Sequence, residues 1–394
     1  MALQPAAGAR DRNPREVDAN RRLCDLLAGV YRLWGYEEVA PPTVERLETL
    51  QAGGGIDGRE LVRLAADDPL GLRPEMTASI ARAACTRMAS QPRPLRLWSC
   101  GTVFRSGISD GGNQRIDERL QSGVELLGGP DASSADDAEL LRLLLACLRS
   151  LGIDQAHQPR LLLGHHGVLS ALLDQVPAPQ RTAVRQALTS FDPLALERLD
   201  LPQQQRQSLQ LLMRLRGEPG PVLYQLEQQL GPCSLLDQLA ATLQAIAPTA
   251  SAQGVVIQLD PSFQPHFDLY DGLVLTLVCQ GAHAPLEIAS GGRYDALVSR
   301  FGGPSGGMGF GVQVEAVREL LGTDSSGPAR QAPTLVAYGD AAQLAGALDR
   351  LEQLHAEGQP AELLNQPCGS ELEAQAIAAQ RGCAGALWLP QATA

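Results

Sequence analysis

The sequence predicts an α+β fold: an antiparallel β-sheet flanked by helices, with a helical insert and a small α/β domain at the C-terminal end. Three observations carry this. Two strand-like runs flank a polar, glycine-rich segment between residues 95 and 129, which reads as a long hairpin. Residues from about 167 to 250 are rich in Leu, Gln, Arg and Pro at helical spacing, with few strand signals. The last stretch alternates three short apolar runs with two helical patterns, the order of a βαβαβ unit of about sixty residues. At 394 residues and 44% apolar content the chain is long enough for two or three domains with a sizeable core.

Taken in order, Asn13-Pro14-Arg15-Glu16 reads as an N-cap, a proline at the first helical position and a capping-box glutamate. The helix it opens has Leu23, Leu26, Leu27, Val30 and Leu33 as apolar positions and ends at Gly35. Residues 36–42 read as a strand running into a proline turn, and 44–50 as helical. An amphipathic helix is expected over 140–151, preceded by the capping-type cluster Ser133-Ser134-Ala135-Asp136-Asp137. After the insert, strand character returns at 254–260, 273–280 and 286–289, and 312–320 reads as a further helix. Residues 322–333 are a linker by composition. Beyond them, 334–338, 361–364 and 384–389 are the short apolar runs. The first helix between these runs places Leu344, Leu348 and Leu351 on one stripe and stops at Gly358.

Composition removes several chemistries. The 32 basic residues are all Arg, so neither a Schiff-base lysine nor a P-loop lysine exists. A formal charge of −12 gives no general attraction for nucleic acid or anionic lipid. The eight cysteines are scattered without metal-ligand spacing and read as reduced core residues. The first residues lack the apolar stretch of a signal peptide, and no apolar run is long enough for a membrane span, so a cytoplasmic protein is expected. His165 and His166 are neighbours on an apparently extended segment and would point apart, which argues against a shared metal and for an ordinary loop role.

The candidate site starts from period-2 geometry. In Leu120-Gln121-Ser122-Gly123-Val124-Glu125-Leu126, Gln121 and Glu125 share one face, and Ser122, Val124 and Leu126 share the other. An exposed strand would alternate in the same way. A second acid, Glu75 in Leu72-Arg73-Pro74-Glu75-Met76-Thr77, and Arg105 on the other arm of the hairpin raise the functional reading. Two carboxylates, an amide and a guanidinium could hold an amino acid by its ammonium, side chain and carboxylate. The glycine-rich segments 290–297 (SGGRYDAL) and 301–311 (FGGPSGGMGFG) permit close backbone approach to a ligand; taken alone each reads as a turn or loop.

Together these segments resemble the class II aminoacyl-tRNA synthetases, and specifically histidyl-tRNA synthetase, over nearly the whole chain. Residues 13–50 look like motif 1, which builds the family's dimer interface, with Pro42 and Glu45 in place. Residues 72–77 resemble the segment that contacts the amino acid, and 98–128 resemble motif 2. Residues 290–297 are close to the signature A-G-G-R-Y-D-G-L, and 309–317 stand where motif 3 belongs. The resemblance implies a synthetase-like catalytic-fold domain over 1–325, carrying the insert, and a shortened anticodon-binding-like α/β domain over 326–394. It also implies a histidine site made of Glu75, Thr77, Arg105, Gln121, Glu125, Tyr270, Arg293 and Tyr294.

Three departures bear on activity. Gly107 stands where the synthetases carry an acid that helps hold the adenine, and Ala316 where an Arg clamps the ATP phosphates. Pro265, opening Pro265-His266-Phe267-Asp268-Leu269-Tyr270, replaces an Arg that stabilises charge during adenylation. Loss of such preorganised cations commonly costs orders of magnitude in rate. Among relatives, kept amino-acid contacts with lost adenylation resemble the regulatory-subunit family of ATP phosphoribosyltransferase. That resemblance implies a non-catalytic chain with no cofactor and no metal. Its partner would be the short-form catalytic subunit of that enzyme, its effector histidine and its core a homodimer, with no role for tRNA or a membrane. The alternatives are an active histidyl-tRNA synthetase and a histidine-sensing adaptor for another partner.

Overall fold

The computed structural model describes residues 5–52, 58–108, 112, 114–128, 134–265, 269–304, 306–322 and 331–390. Residues 323–330 of the linker inferred over 322–333, residues 109–111 and 113 of the hairpin tip, Ser133 of the capping cluster, His266 to Asp268, and Ser305 lie outside the described residues. The chain divides into two compact units, Met1–Ser326 and Gly327–Ala394.

In the first unit, α1 (Pro14–Leu33) opens with both halves of a capping box. Asn13 Oδ1 accepts from the Glu16 amide at 3.0 Å, and Glu16 Oε2 accepts from the Asn13 amide at 3.0 Å, together worth about 1 kcal/mol or more. The expected strand after Gly35 shortens to β1 (Glu37–Glu38). The expected helix over 44–50 is half strand: β2 (Val44–Arg46) precedes α2 (Leu47–Ala52). The cause is tertiary, because β2 pairs antiparallel with β4 (Leu70–Leu72), which also pairs with β3 (Val62–Arg63). Glu45 on β2 is held by Arg82 at 2.7 Å, on α3 (Thr77–Cys85).

The hairpin of β5 (Leu95–Ile108) and β6 (Gln114–Leu127) pairs without slippage from Leu95↔Leu127 to Ile108↔Gln114. After it come α4 (Ser134–Leu151) and β7 (Arg160–His165). The insert is helical as read, formed by α5 (His166–Asp174), α6 (Arg181–Thr189), α7 (Pro193–Glu197), α8 (Gln203–Arg214), α9 (Pro219–Leu230) and α10 (Ser234–Ala252). His165 caps α5 by accepting from the Gly167 amide at 3.0 Å, and burial pushes its imidazole down to about 4, so it is neutral at pH 7. The unit closes with β8 (Val256–Leu259), β9 (Leu273–Gln280), β10 (Pro285–Arg293), α11 (Asp295–Arg300), β11 (Gly307–Gln313) and α12 (Val314–Leu321).

These strands make one eight-stranded sheet in the order β1-β5-β6-β11-β10-β9-β7-β8. It is mixed rather than wholly antiparallel: β1 runs parallel to β5, and β8 parallel to β7. The central pairings, β5 through β7, are antiparallel. Both glycine-rich segments depart in part from the loop reading, residues 301–304 keeping it as a turn. The first forms the end of β10 and the second most of β11, and their glycines permit strand contacts that bulkier residues would obstruct. Alternation assigns the faces. Trp98, Val124, Leu126, Met308, Phe310 and Val312 join the core that contains residues of α1, α4 and α12, whereas Leu95, Leu97, Val103 and Leu127 join a second core with Met76, Ile80 and Leu297.

The second unit is a parallel three-stranded sheet of order β13-β12-β14, from β12 (Thr334–Tyr338), β13 (Ala361–Leu363) and β14 (Gly385–Leu389). The connecting helices are α13 (Leu344–Ala356) and α14 (Glu371–Arg381). Leu335 and Ala337 of β12 pack with Ala374 and Ala378, and Val336 and Tyr338 pack with Ala347 and Leu354. A strand buried on both faces reads as continuously apolar, as β12 does. The expected stripe on α13 is rotated: Ala347 and Leu354 are buried, while Leu344 and Leu348 are exposed.

Candidate functional site

The second core's face of the main sheet encloses a cavity of about 720 Å³, within the range of small-molecule sites. Glu75, Thr77, Arg105, Gln121, Glu125 and Tyr270 all line it, brought together from β5, β6, the start of α3 and two loops. Arg73 holds the 72–77 segment in place, donating to the carbonyls of Thr102 at 3.0 Å and Pro41 at 2.7 Å. Glu75 then turns inward at the start of α3, where its carboxylate accepts from the Ala78 amide at 3.1 Å. Two pleat periods, with Gly123 between them, separate Gln121 from Glu125, and both face the cavity, while Ser122, Val124 and Leu126 are buried on the opposite side.

Glu125 is the most constrained acid. Its Oε1 accepts from Thr77 Oγ1 at 2.6 Å and its Oε2 from the Tyr294 hydroxyl. Burial foremost, opposed by those two donors and reinforced by the charge of Glu75, pushes its pKa up to about 8. Burial likewise raises Glu75, opposed by the Ala78 and Thr77 hydrogen bonds and by Arg105. Two buried carboxyls side by side resist joint ionisation until a positive charge or strong donor arrives. The described lining adds the acids Asp117 and Glu287 against the guanidiniums of Arg105 and Arg119, so the balance favours a ligand with cationic or donor groups.

Glycine makes the room. On β11, Gly309 pairs with Glu125, and a Cβ there would collide with the Glu125 carboxylate. On β10, a Cβ at Gly292 would meet the Tyr270 ring at 2.8 Å. The alternation Gly-Met-Gly-Phe-Gly-Val in β11 therefore places side chains on the core face and only backbone beneath the cavity.

Tyr294 is not part of the cavity wall; it acts through its hydroxyl on Glu125. Arg293 is also outside the wall, with its Nε donating to Asp137 Oδ1 at 3.0 Å and its Nη1 to Asp295 at 3.3 Å, so it ties the β10 end to α4 and α11. Residues the sequence reading passed over include Asp117 and Arg119, Ser262 to Gln264, and Thr189 to Phe191 from the insert. Asp117 and Arg119 were discoverable, since they continue the alternation of Gln121 and Glu125; the insert residues carried no local signal.

A second cavity, of about 700 Å³, adjoins this one around Ala316. Three of its arginines are engaged with acids: Arg12 Nε donates to Glu315 at 2.7 Å, Arg318 to Asn20 at 2.7 Å with Glu16 at 3.3 Å, and Arg10 to Glu16 at 2.8 Å; Arg105 and Arg119 line both cavities. Ala7 of the N-terminal segment accepts from the Ile116 amide at 3.0 Å, laying that segment against the hairpin. Among the described residues no group of three or more metal-ligating side chains is placed to hold an ion, and no helix is long and apolar enough to cross a membrane.

Comparison with known proteins agrees with this architecture. The family model described as histidyl-tRNA synthetase matches residues 8–317. The chain is 52% identical over 385 residues to the ATP phosphoribosyltransferase regulatory subunit of Synechococcus sp. strain CC9902, covering 97% of this chain and 98% of that one. It is equally 52% identical to the protein of the same name from Synechococcus sp. strain RCC307, over 99% of this chain and all of that one. In fold it matches a crystal structure of an ATP phosphoribosyltransferase regulatory subunit/histidyl-tRNA synthetase from Bacillus halodurans with a TM-score of 0.83, 22% identity and full coverage of both chains. A synthetase-type sheet and near full-length identity to these relatives lead to one conclusion: the chain belongs to the family of ATP phosphoribosyltransferase regulatory subunits, built on the histidyl-tRNA synthetase fold.

Proposed function

We propose that this chain binds free histidine in the cavity beneath β6 and β11 and, without transforming it, transmits its presence to a short-form catalytic subunit of ATP phosphoribosyltransferase. The observation that carries the reading is the asymmetry between the two cavities. One keeps Glu75, Thr77, Arg105, Gln121, Glu125 and Tyr270 around a single space. The other presents Ala316 and has three of its arginines, Arg10, Arg12 and Arg318, already paired with carboxylates, so a nucleotide triphosphate would meet acids as well as cations there. Amino-acid recognition is supported; charge stabilisation at a phosphoryl centre is not.

Calorimetric titration should therefore show saturable histidine binding, while the same preparation performs no histidine-dependent exchange of pyrophosphate into ATP and charges no tRNA. Adenylation clearly above background, or no heat of binding, would overturn the reading.

A homodimeric core is the second part of the proposal. Leu26, Leu33 and Val44 of the motif 1 segment are exposed, Leu33 at 88%, an apolar set that a two-fold contact would cover. Sedimentation should give a dimer, with Leu33→Glu shifted toward monomer. A wild-type monomer at all concentrations would remove this part of the proposal.

A further inference from the structure

The eight cysteines are not uniformly core residues, as their scatter in the sequence suggested. Cys147 and Cys279 are buried in the main core, but Cys24 and Cys100 are only half-buried. They are 76 positions apart in sequence, yet their sulfurs lie 3.0 Å apart, one on α1 and the other on β5. A surface pocket of about 460 Å³ opens beside them, with Arg12, Arg21, Asp25 and Leu120 in its wall. The contacts of other cysteines differ in kind: Cys85 reaches the Val298 carbonyl, Cys368 the Ser370 carbonyl and Cys383 the Glu362 carboxylate.

We propose that Cys24 and Cys100 form a reversible redox modification site, a dithiol that closes to an intramolecular disulfide by exchange with a small-molecule disulfide of the glutathione type. A disulfide needs its sulfurs about 2 Å apart, so the pair must close by about 1 Å. In the first step the Cys100 thiolate attacks one sulfur of the incoming disulfide, forming a mixed disulfide and expelling one thiolate. Cys24 then loses its proton, and its thiolate displaces the second small-molecule thiolate from Cys100. Two electrons and two protons pass to the external disulfide, which leaves as two thiols.

The assignment of roles agrees with electrostatics. Contact with Cys24 lowers the Cys100 thiol, with a further hydrogen bond from Ser122, whereas the same contact and burial raise Cys24. The lower group is the nucleophile and the higher one resolves the intermediate. Access survives the dimer proposed above. At about 3.6 residues per turn, Cys24 lies roughly half a turn around α1 from both Leu26 and Leu33. The bond would fasten α1 to the strand that carries Arg105.

The test uses the intact protein incubated with glutathione disulfide, alkylated while folded, and mapped by mass spectrometry. Wild type should yield a linked peptide joining Cys24 to Cys100 within one chain, two hydrogens lighter than the reduced pair and reopened by dithiothreitol, with Cys85 and Cys383 still unlinked. Cys24→Ser should instead trap glutathione on Cys100, and Cys24→Ala serves as a second variant should the serine perturb α1. The proposal is overturned if both thiols remain fully alkylatable after oxidation, if the linkage joins two chains, or if linked peptide forms only after denaturation.

Discussion

Mixed with a short-form catalytic subunit of ATP phosphoribosyltransferase, this chain is expected to switch on condensation of ATP with phosphoribosyl pyrophosphate, and added histidine is expected to reduce the rate. The expectation follows from the proposed reading, in which the cavity with Glu75 and Glu125 takes an amino acid while the adjoining one has Ala316 at its wall. A protein that binds histidine without altering it can affect chemistry only if the ligand has different affinities for two states of the complex. Couplings of this sort are typically about 1–3 kcal/mol, so inhibition of about 5- to 150-fold at saturating histidine is the expected scale. Activity assays of the catalytic subunit alone, with this chain, and with this chain plus histidine separate the outcomes. A catalytic subunit equally active alone, or one that never associates with this chain, would leave a histidine sensor for some other partner as the better account.

Replacing Glu125 by Ala is expected to weaken histidine binding by about 10- to 150-fold, the equivalent of roughly 1.5–3 kcal/mol for one charge-assisted hydrogen bond. The carboxylate is buried, and both its oxygens already accept from protein hydroxyls, so it is a fixed acceptor rather than a mobile surface acid. The pH dependence has a definite sign. With its pKa pushed up to about 8 by burial, Glu125 holds a proton below that value. Binding that uses the carboxylate must expel this proton, so affinity should fall toward tenfold per pH unit as pH drops below about 8. Glu125→Gln should bind weakly and lose the slope below about pH 8. Unchanged calorimetric affinity in Glu125→Ala would place the carboxylate outside the histidine site. The same variant should retain activation of the catalytic subunit while losing histidine inhibition, which distinguishes a ligand defect from a failure to assemble.

Local rules determined a large part of this protein. The capping box at Asn13 and Glu16, the long hairpin, the helical insert and the β12 to β14 unit each have signals within a few residues of one another, so they were legible without any tertiary information. The polar face of β6 was equally legible, because period 2 forces Gln121 and Glu125 to the same side. Motif resemblance then supplied Glu75, Thr77, Arg105 and Tyr270, whose convergence no spacing rule could have shown. Tertiary structure decided what depends on long-range partners. Residues 44–46 became a strand because β4 lies beside them. Residues 290–293 and 307–311 of the glycine-rich segments lie in β10 and β11, where a Cβ at Gly292 or Gly309 would collide with Tyr270 or Glu125. Arg293 was drawn to Asp137 and Asp295 rather than to the cavity, and Tyr294 reaches the site only through Glu125. The Cys24 to Cys100 contact and the insert's Thr189 to Phe191 at the cavity wall have the same origin: chain segments far apart in sequence meet when the sheet and its helices bury their apolar faces, and neither segment alone encodes the meeting.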